Sequence, residues 1–168
     1  MSVHSRFHNL RSMRNTMNKL ILRIGNLLRN AIWKRFKAIT IGVRVIAVLD
    51  GKVMLIRHAY RDGWYLPGGG LLSGETLESA ARRELHEETG IVVGELALFG
   101  VYTDFLEGRS DHKIVFLGEI IHQDNVSSQE IQEIKYFSIH NLPEELSIEC
   151  RNRIQEYSLG NYPKFGIW

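Results

Sequence analysis

One cysteine in 168 residues, Cys150, excludes an intramolecular disulfide and a cysteine-built metal cluster, and suits a reducing compartment such as the cytoplasm. Residues 10–32 contain no apolar run long enough to cross a membrane: Leu20-Ile21-Leu22 is cut at once by Arg23, which also argues against a secretory signal. No internal repeat and no low-complexity tract is visible. Acidic residues are missing altogether from residues 1–49, which carry ten Lys/Arg, while residues 50–168 hold eleven Lys/Arg against nineteen Asp/Glu. The overall charge of +2 therefore conceals a basic arm on an acidic body. An acidic body repels polyanions unless divalent ions intervene, so no specific nucleic-acid partner is expected there.

What is present is enough for one domain. The hydrophobic content is 44%, typical of a chain that builds a proper core. Residues 1–38 read as a basic amphipathic helical arm and residues 39–168 as the folded domain. In the arm, Leu10, Met13, Met17, Leu20, Ile21, Ile24, Leu27, Leu28, Ala31 and Ile32 share one helical face over residues 10–32. Three roles for that face stay open: packing on the domain or on a second copy in a homodimer, peripheral contact with an anionic membrane, or an organelle-targeting presequence.

From Thr40 the apolar period becomes that of a strand, through Leu49, with a turn at Asp50-Gly51 and a second strand from Lys52 to Ile56. The loop from Arg57 to Tyr65 follows, then Leu66-Pro67 and the run Gly68-Gly69-Gly70. Thr76 is a helix N-cap and Gly90 the left-handed stop. Between them Leu77, Ala80, Ala81 and Leu85 form an apolar stripe, with Arg82, Arg83 and His86 away from it. The same count places Glu84 and Glu88 within the stripe and Glu87 at its edge. Inward carboxylates at i, i+4 repel and cost several kcal/mol to desolvate unless something positive compensates. A hard, oxygen-seeking cation, above all Mg²⁺, is the simplest compensation.

Later strands are expected at Ile91–Val93, Leu96–Tyr102, Lys113–Ile121 and through Tyr136-Phe137. The closing helix follows Asn141 and Pro143 and runs to about Tyr157, with Leu146, Cys150 and Ile154 at core spacing.

Gly69, five residues, Glu75, seven residues, Arg83-Glu84-Leu85, one residue, Glu87-Glu88, one residue, Gly90-Ile91 matches the signature of the Nudix (MutT-like) hydrolases at every specified position. The looser likeness covers about residues 40–158. The resemblance implies an α/β fold of the α+β kind, an α/β/α sandwich around a central mixed sheet. It implies an enzyme that hydrolyses the pyrophosphate linkage of a nucleoside diphosphate joined to another group, by attack of water on phosphorus. By the same resemblance Glu84, Glu87, Glu88 and Arg83 form the catalytic set, and Glu84, Glu87 and Glu88 with the Gly69 carbonyl hold Mg²⁺, with Mn²⁺ able to substitute. Arg83 and Glu75 orient the loop against the helix, and Glu130 or Glu133 could join the metal site or act as base.

Arg57 and Arg61 are candidates to hold phosphate oxygens, and Tyr60 or Trp64 to stack on a base or sugar. Phe105, Arg109 and His112, around the loop after the third strand, could contribute to substrate choice. Leu106 and Arg109 stand where subfamily marks for ADP-ribose and dinucleoside polyphosphate enzymes would lie, so neither mark is present. The other reading is a nucleotide-sensing module of the same fold, tethered by its arm.

Overall fold

The computed structural model describes Gly25, which lies in a helix, and residues 39–105, 110–126 and 128–168. The expectations for residues 10–32 and for Arg109 fall outside the described residues. Six strands are present: β1 (Ile39–Leu49), β2 (Lys52–His58), β3 (Ile91–Asp104), β4 (Ser110–Gln123), β5 (Ile131–Ser138) and β6 (Lys164–Ile167). Two helices accompany them, α1 (Leu77–Thr89) and α2 (Ile148–Ser158).

The strands form one mixed sheet in the order β5-β2-β1-β4-β3-β6, with β1/β4 and β3/β6 parallel and the other pairs antiparallel. Alternation along β1 supplies both faces. Val43, Val45 and Ala47 pack with Ala80, Ala81 and Leu85 of α1, while Ile46 and Val48 pack with Cys150 and Ile154 of α2. The sheet thus lies between the helices, the α/β/α arrangement expected. Full burial of a residue such as Leu85 contributes about 1.5–3 kcal/mol.

The site depends on one departure from a regular sheet. β1 and β2 pair only beside their turn, at Val48↔Val53 and Leu49↔Lys52, and then diverge. The segment after β2 fills the gap. Tyr65 bridges to Ile56, Val45 N–H donates to the Pro67 carbonyl (3.0 Å), Val43 N–H to the Gly69 carbonyl (2.9 Å), and Leu71 N–H to the Ile41 carbonyl (3.2 Å). The glycine run is therefore hydrogen-bonded along β1 in the middle of the molecule. Gly68 must be glycine, with φ +133° and the Val43 carbonyl where a Cβ would lie.

Several details differ from the sequence expectation. Leu77 is 37% exposed, and buried Thr89 takes a place on the α1 core face. α2 begins at Ile148, capped by the Ser147 hydroxyl accepting from Cys150 N–H (3.3 Å), because Pro143 lies in a turn that precedes the helix. β3 is one long strand whose register shifts near Val93 and Leu98 absorb the break expected there. β6 was not foreseen. It is held against β3, and Trp168 packs beside Tyr102 at 6.0 Å between ring centroids.

Candidate active site

The box helix is fixed at both ends before any chemistry is considered. Thr76 Oγ1 accepts from Ser79 N–H (3.1 Å), and Gly90, at φ 72°, donates its N–H to the His86 carbonyl (2.7 Å). Ala80, Ala81 and Leu85 seat the helix on the sheet and so fix the azimuth of the residues between them.

Glu84 and Glu88 are aimed at adjacent glycines. Glu88 Oε2 accepts from Gly68 N–H at 2.8 Å. The Glu84 carboxylate lies so close over Gly69 that any Cβ there would overlap it. Burial pushes the Glu88 carboxyl up to about 7; the Gly68 hydrogen bond and Arg44 act against that rise, while Glu84 and Glu130 add to it.

Arg83 organises the other side. Its Nε and one terminal nitrogen grip both oxygens of Glu75 (2.8 and 2.9 Å), and that same terminal nitrogen donates to the Gly70 carbonyl (3.1 Å). Its second terminal nitrogen reaches Glu84 Oε1 (2.8 Å) and Glu87 Oε2 (3.2 Å). Glu75 also accepts from Leu72 N–H (3.1 Å), so one guanidinium ties the loop, the helix and two box carboxylates together. The Arg83 side chain is held protonated by these bonds, above all those to Glu75, and the Glu75 carboxyl is held below its usual range by Arg83.

Glu87, at the edge of the stripe by the helical count, lies on the exposed rim. Its side chain is 60% exposed against 17% for Glu84. Two residues beyond Leu85 is about 200° of rotation, which carries Glu87 across the helix to the rim with Arg83.

The donor set suits a hard cation: two carboxylates with oxygens that Arg83 and Gly68 do not engage, and the Gly69 carbonyl, which gives one lone pair to Val43 N–H and has another. Among the described residues no three His, Cys, Asp or Glu side chains are already gathered as a metal cluster. Two protein carboxylates and a carbonyl match an ion that keeps waters and takes substrate phosphates as its remaining ligands.

The remaining candidates separate by face. A register shift between Arg57 and His58 ends the regular pairing of β2 with β5. Arg57, on the α2 side with Val53 and Leu55, is bound to Glu145 (2.5 Å) and lies 3.9 Å from Glu133. Trp64 is 3% exposed in the core, edge-on to Phe137 at 5.0 Å with Arg57 above it. Neither is presented to a ligand beside the box. Glu133 is also taken by Lys135. Glu130 is different: its carbonyl receives Ala59 N–H (2.7 Å) and its charge is felt at Glu88 and Tyr60. Arg61 stacks 3.5 Å from the Tyr65 ring centre. Phe105 is exposed at the end of β3, and His112 Nδ1 is 3.1 Å from the Thr103 hydroxyl.

Two residues that sequence reasoning passed over adjoin this region. Arg44 is the one charge in β1, a signal that was available, and its backbone adjoins Gly68. His58 is buried, with Nδ1 lacking a hydrogen-bond partner, between Tyr60 and Tyr65 at 5.0 and 5.7 Å.

Comparison with known proteins agrees with this geometry. The family described as NUDIX domain matches residues 38–157. An ADP-ribose pyrophosphatase of Methanocaldococcus jannaschii is 32% identical over 113 residues, covering 64% of this chain and 66% of that protein. An RNA pyrophosphohydrolase of Xanthomonas campestris pv. campestris is 39% identical over 66 residues, 39% of this chain and 32% of that one. The chain thus spans from about a third to just under two thirds of the length of these relatives. The crystal structure of a MutT NUDIX hydrolase from Burkholderia pseudomallei superposes with a TM-score of 0.63 at 26% identity, covering 70% of this chain and 97% of that one.

Proposed function

The chain belongs to the NUDIX domain family, and on that premise we propose that it is a Mg²⁺-dependent hydrolase, with Mn²⁺ able to substitute, acting on the pyrophosphate linkage of a nucleoside diphosphate joined to another group. The observation that carries the proposal is the seating of Glu84 and Glu88 on the backbone of Gly69 and Gly68. A half-buried acid pair against a glycine turn, one of them with its carboxyl pushed up to about 7, suits a cation.

Glu84, Glu88 and the Gly69 carbonyl would hold the metal, with Glu87 joining from the rim. When bound, such an ion screens the phosphates and acidifies a water molecule. The chain's own residues do the rest. Arg83 and Glu75 hold Glu84 in place, so they are positioning residues. Glu130 stands beside Glu88 and is the candidate to take the proton of the attacking water, a role the box carboxylates can also fill. The water oxygen bonds to one phosphorus, the bridging P–O bond breaks, and the departing phosphate carries away the electron pair. Arg61 is the loop residue that would meet phosphate. The lone, buried Cys150 suits a cytoplasmic setting.

The test is a phosphate-release screen over nucleotide derivatives with Mg²⁺, with Mn²⁺ and with chelator. Release that needs the metal and vanishes in Glu88→Gln supports the proposal; equal release from the Glu84→Gln/Glu88→Gln double variant overturns it. For the arm, we propose peripheral contact of residues 10–32 with an anionic membrane. Equal co-sedimentation with anionic liposomes of the full chain and of a chain beginning near Lys37 would reject that role.

A further inference from the structure

The last turn of α1 carries Glu87 and Glu88, and the end of β4 closes on it. β4 pairs with β3 as far as Ile91↔Gln123, which brings Asp124 beside Gly90, the residue that stops the helix. Carbonyls at the C-terminal end of a helix have no partner within it. Here donors from β4 and the residue after it supply them. Asp124 N–H donates to the Gly90 carbonyl (2.7 Å) and Gln123 Nε2 to the Thr89 carbonyl (3.2 Å). The fit is close, since the Asp124 carbonyl leaves no room for a Cβ on Gly90.

The Asp124 side chain adds a tie that the helix end does not require. Its Oδ2 meets Nε2 of His86 on α1 at 2.8 Å, and its Oδ1 meets Nε2 of His122 on β4 at 2.9 Å. The two imidazoles hold the Asp124 carboxyl below its usual range. A carboxylate only accepts, so both imidazoles donate. An exposed pair between two free side chains is easily swung apart and contributes little. In this cluster His122 fixes one oxygen of the carboxylate from the strand, so the other oxygen is presented to His86 in a set direction.

Residues two apart on a helix are separated by about 200° of rotation, so His86 and Glu88 leave α1 on nearly opposite sides. On its own side Glu88 accepts from Gly68 N–H at 2.8 Å. The last turn is therefore held between the end of β4 and the glycine turn. A rotation or slide of that turn moves Glu88 relative to Gly68, and a small displacement of a charged group is enough to weaken a site built around it.

Resting on the hydrolase reading for its chemistry, we propose that Asp124 is a positioning residue: by anchoring His86 to the end of β4 it sets the rotation of the last turn of α1, and with it the place of the Glu88 carboxylate beside Gly68. Asp124 acts through the helix and touches neither metal nor substrate.

Three single variants of the full chain, Asp124→Ala, His86→Ala and His122→Ala, test this. In metal-free protein, amide exchange at Gly68 should quicken about 3- to 10-fold in Asp124→Ala and in His86→Ala, the low end of what loss of an outer partner does to a metal site. The amides of Val43 and Val45, which hold the same glycine turn through the Gly69 and Pro67 carbonyls, should keep wild-type rates. Calorimetric affinity for Mg²⁺ should fall by a similar factor. The double variant Asp124→Ala/His86→Ala should lose no more than either single one, because both remove one tie. His122→Ala, which frees the carboxylate only on the strand side, should lose less. A merely structural role would lower the melting temperature and quicken Gly68, Val43 and Val45 together; that pattern, or unchanged Gly68 exchange in Asp124→Ala, overturns the proposal. If the wild type hydrolyses no nucleotide derivative while Gly68 exchange and Mg²⁺ affinity still respond in the variants, the hydrolase reading fails and the positioning of Glu88 by Asp124 stands.

Discussion

Glu84 lies over Gly69 with no room for a methyl group between the carboxylate and the backbone. Gly69→Ala should therefore displace the Glu84 carboxylate while leaving backbone torsion unstrained. Overpacking of this kind costs about 1–3 kcal/mol, which urea unfolding would measure. Turnover should fall at least about tenfold, as expected when a charged donor is moved off its position. Wild-type turnover in this variant would remove Glu84 from the site.

The three box glutamates should not be equivalent. Glu84→Gln and Glu88→Gln should each lower kcat by about 10²–10³, the range for losing a group that stabilises transition-state charge. Glu87→Gln, on the exposed rim, should cost markedly less. Isothermal titration with Mg²⁺ should follow the same ranking.

Metal-free protein should lose stability as pH rises. The Glu88 carboxyl moves from an ordinary 4.5 to about 7 in the folded state. Between those values the folded chain holds a proton that the unfolded chain has released, so the unfolding free energy falls with pH, at a limiting slope of about 1.4 kcal/mol per pH unit. Below about 4.5 this contribution is fully present. Thermal melts with chelator between pH 5 and 7.5 should show the decline in the wild type and a flatter profile in Glu88→Gln. Added Mg²⁺ should restore stability most at the upper end.

Arg83→Lys keeps a charge and loses the fork that spans Glu75, Glu84 and Gly70. Turnover should drop about tenfold, consistent with one or more charged hydrogen bonds lost. Amide exchange at Leu72, whose N–H is held by Glu75, should quicken. Loss of turnover without faster exchange would place Arg83 against the substrate instead.

Arg57→Gln should leave kcat/KM within about twofold, the scatter of a substitution remote from the chemistry. Its effect should appear in stability, up to about 1 kcal/mol for a part-exposed ion pair with Glu145. A large rise in KM would return Arg57 to the site.

The parts legible in the sequence were those governed by local rules. The hairpin at Asp50-Gly51, the Thr76 and Gly90 caps and the core spacing of Leu146, Cys150 and Ile154 follow from turn chemistry and periodicity alone. The α2-side position of Arg57 and Trp64 was not legible, because the loop borders both faces of the sheet and only the pairing of β2 with β5 decides which side chain emerges where. The opening between β1 and β2, which the glycine run fills, is announced by no local pattern. β6 depends on pairing with a strand more than fifty residues earlier, beyond the range of any sequence window.

The hydrogen bonds from Leu71 to Ile41 and from Val43 to Gly69 limit how far the chain can be shortened from its N-terminal side. Trimming up to residue 38 leaves every rung intact. Each residue removed past Ile39 approaches the point where the glycine turn loses its splint, so a trimmed form beginning at Arg44 should still present all three glutamates on their helix and yet have no fixed surface for them to close upon.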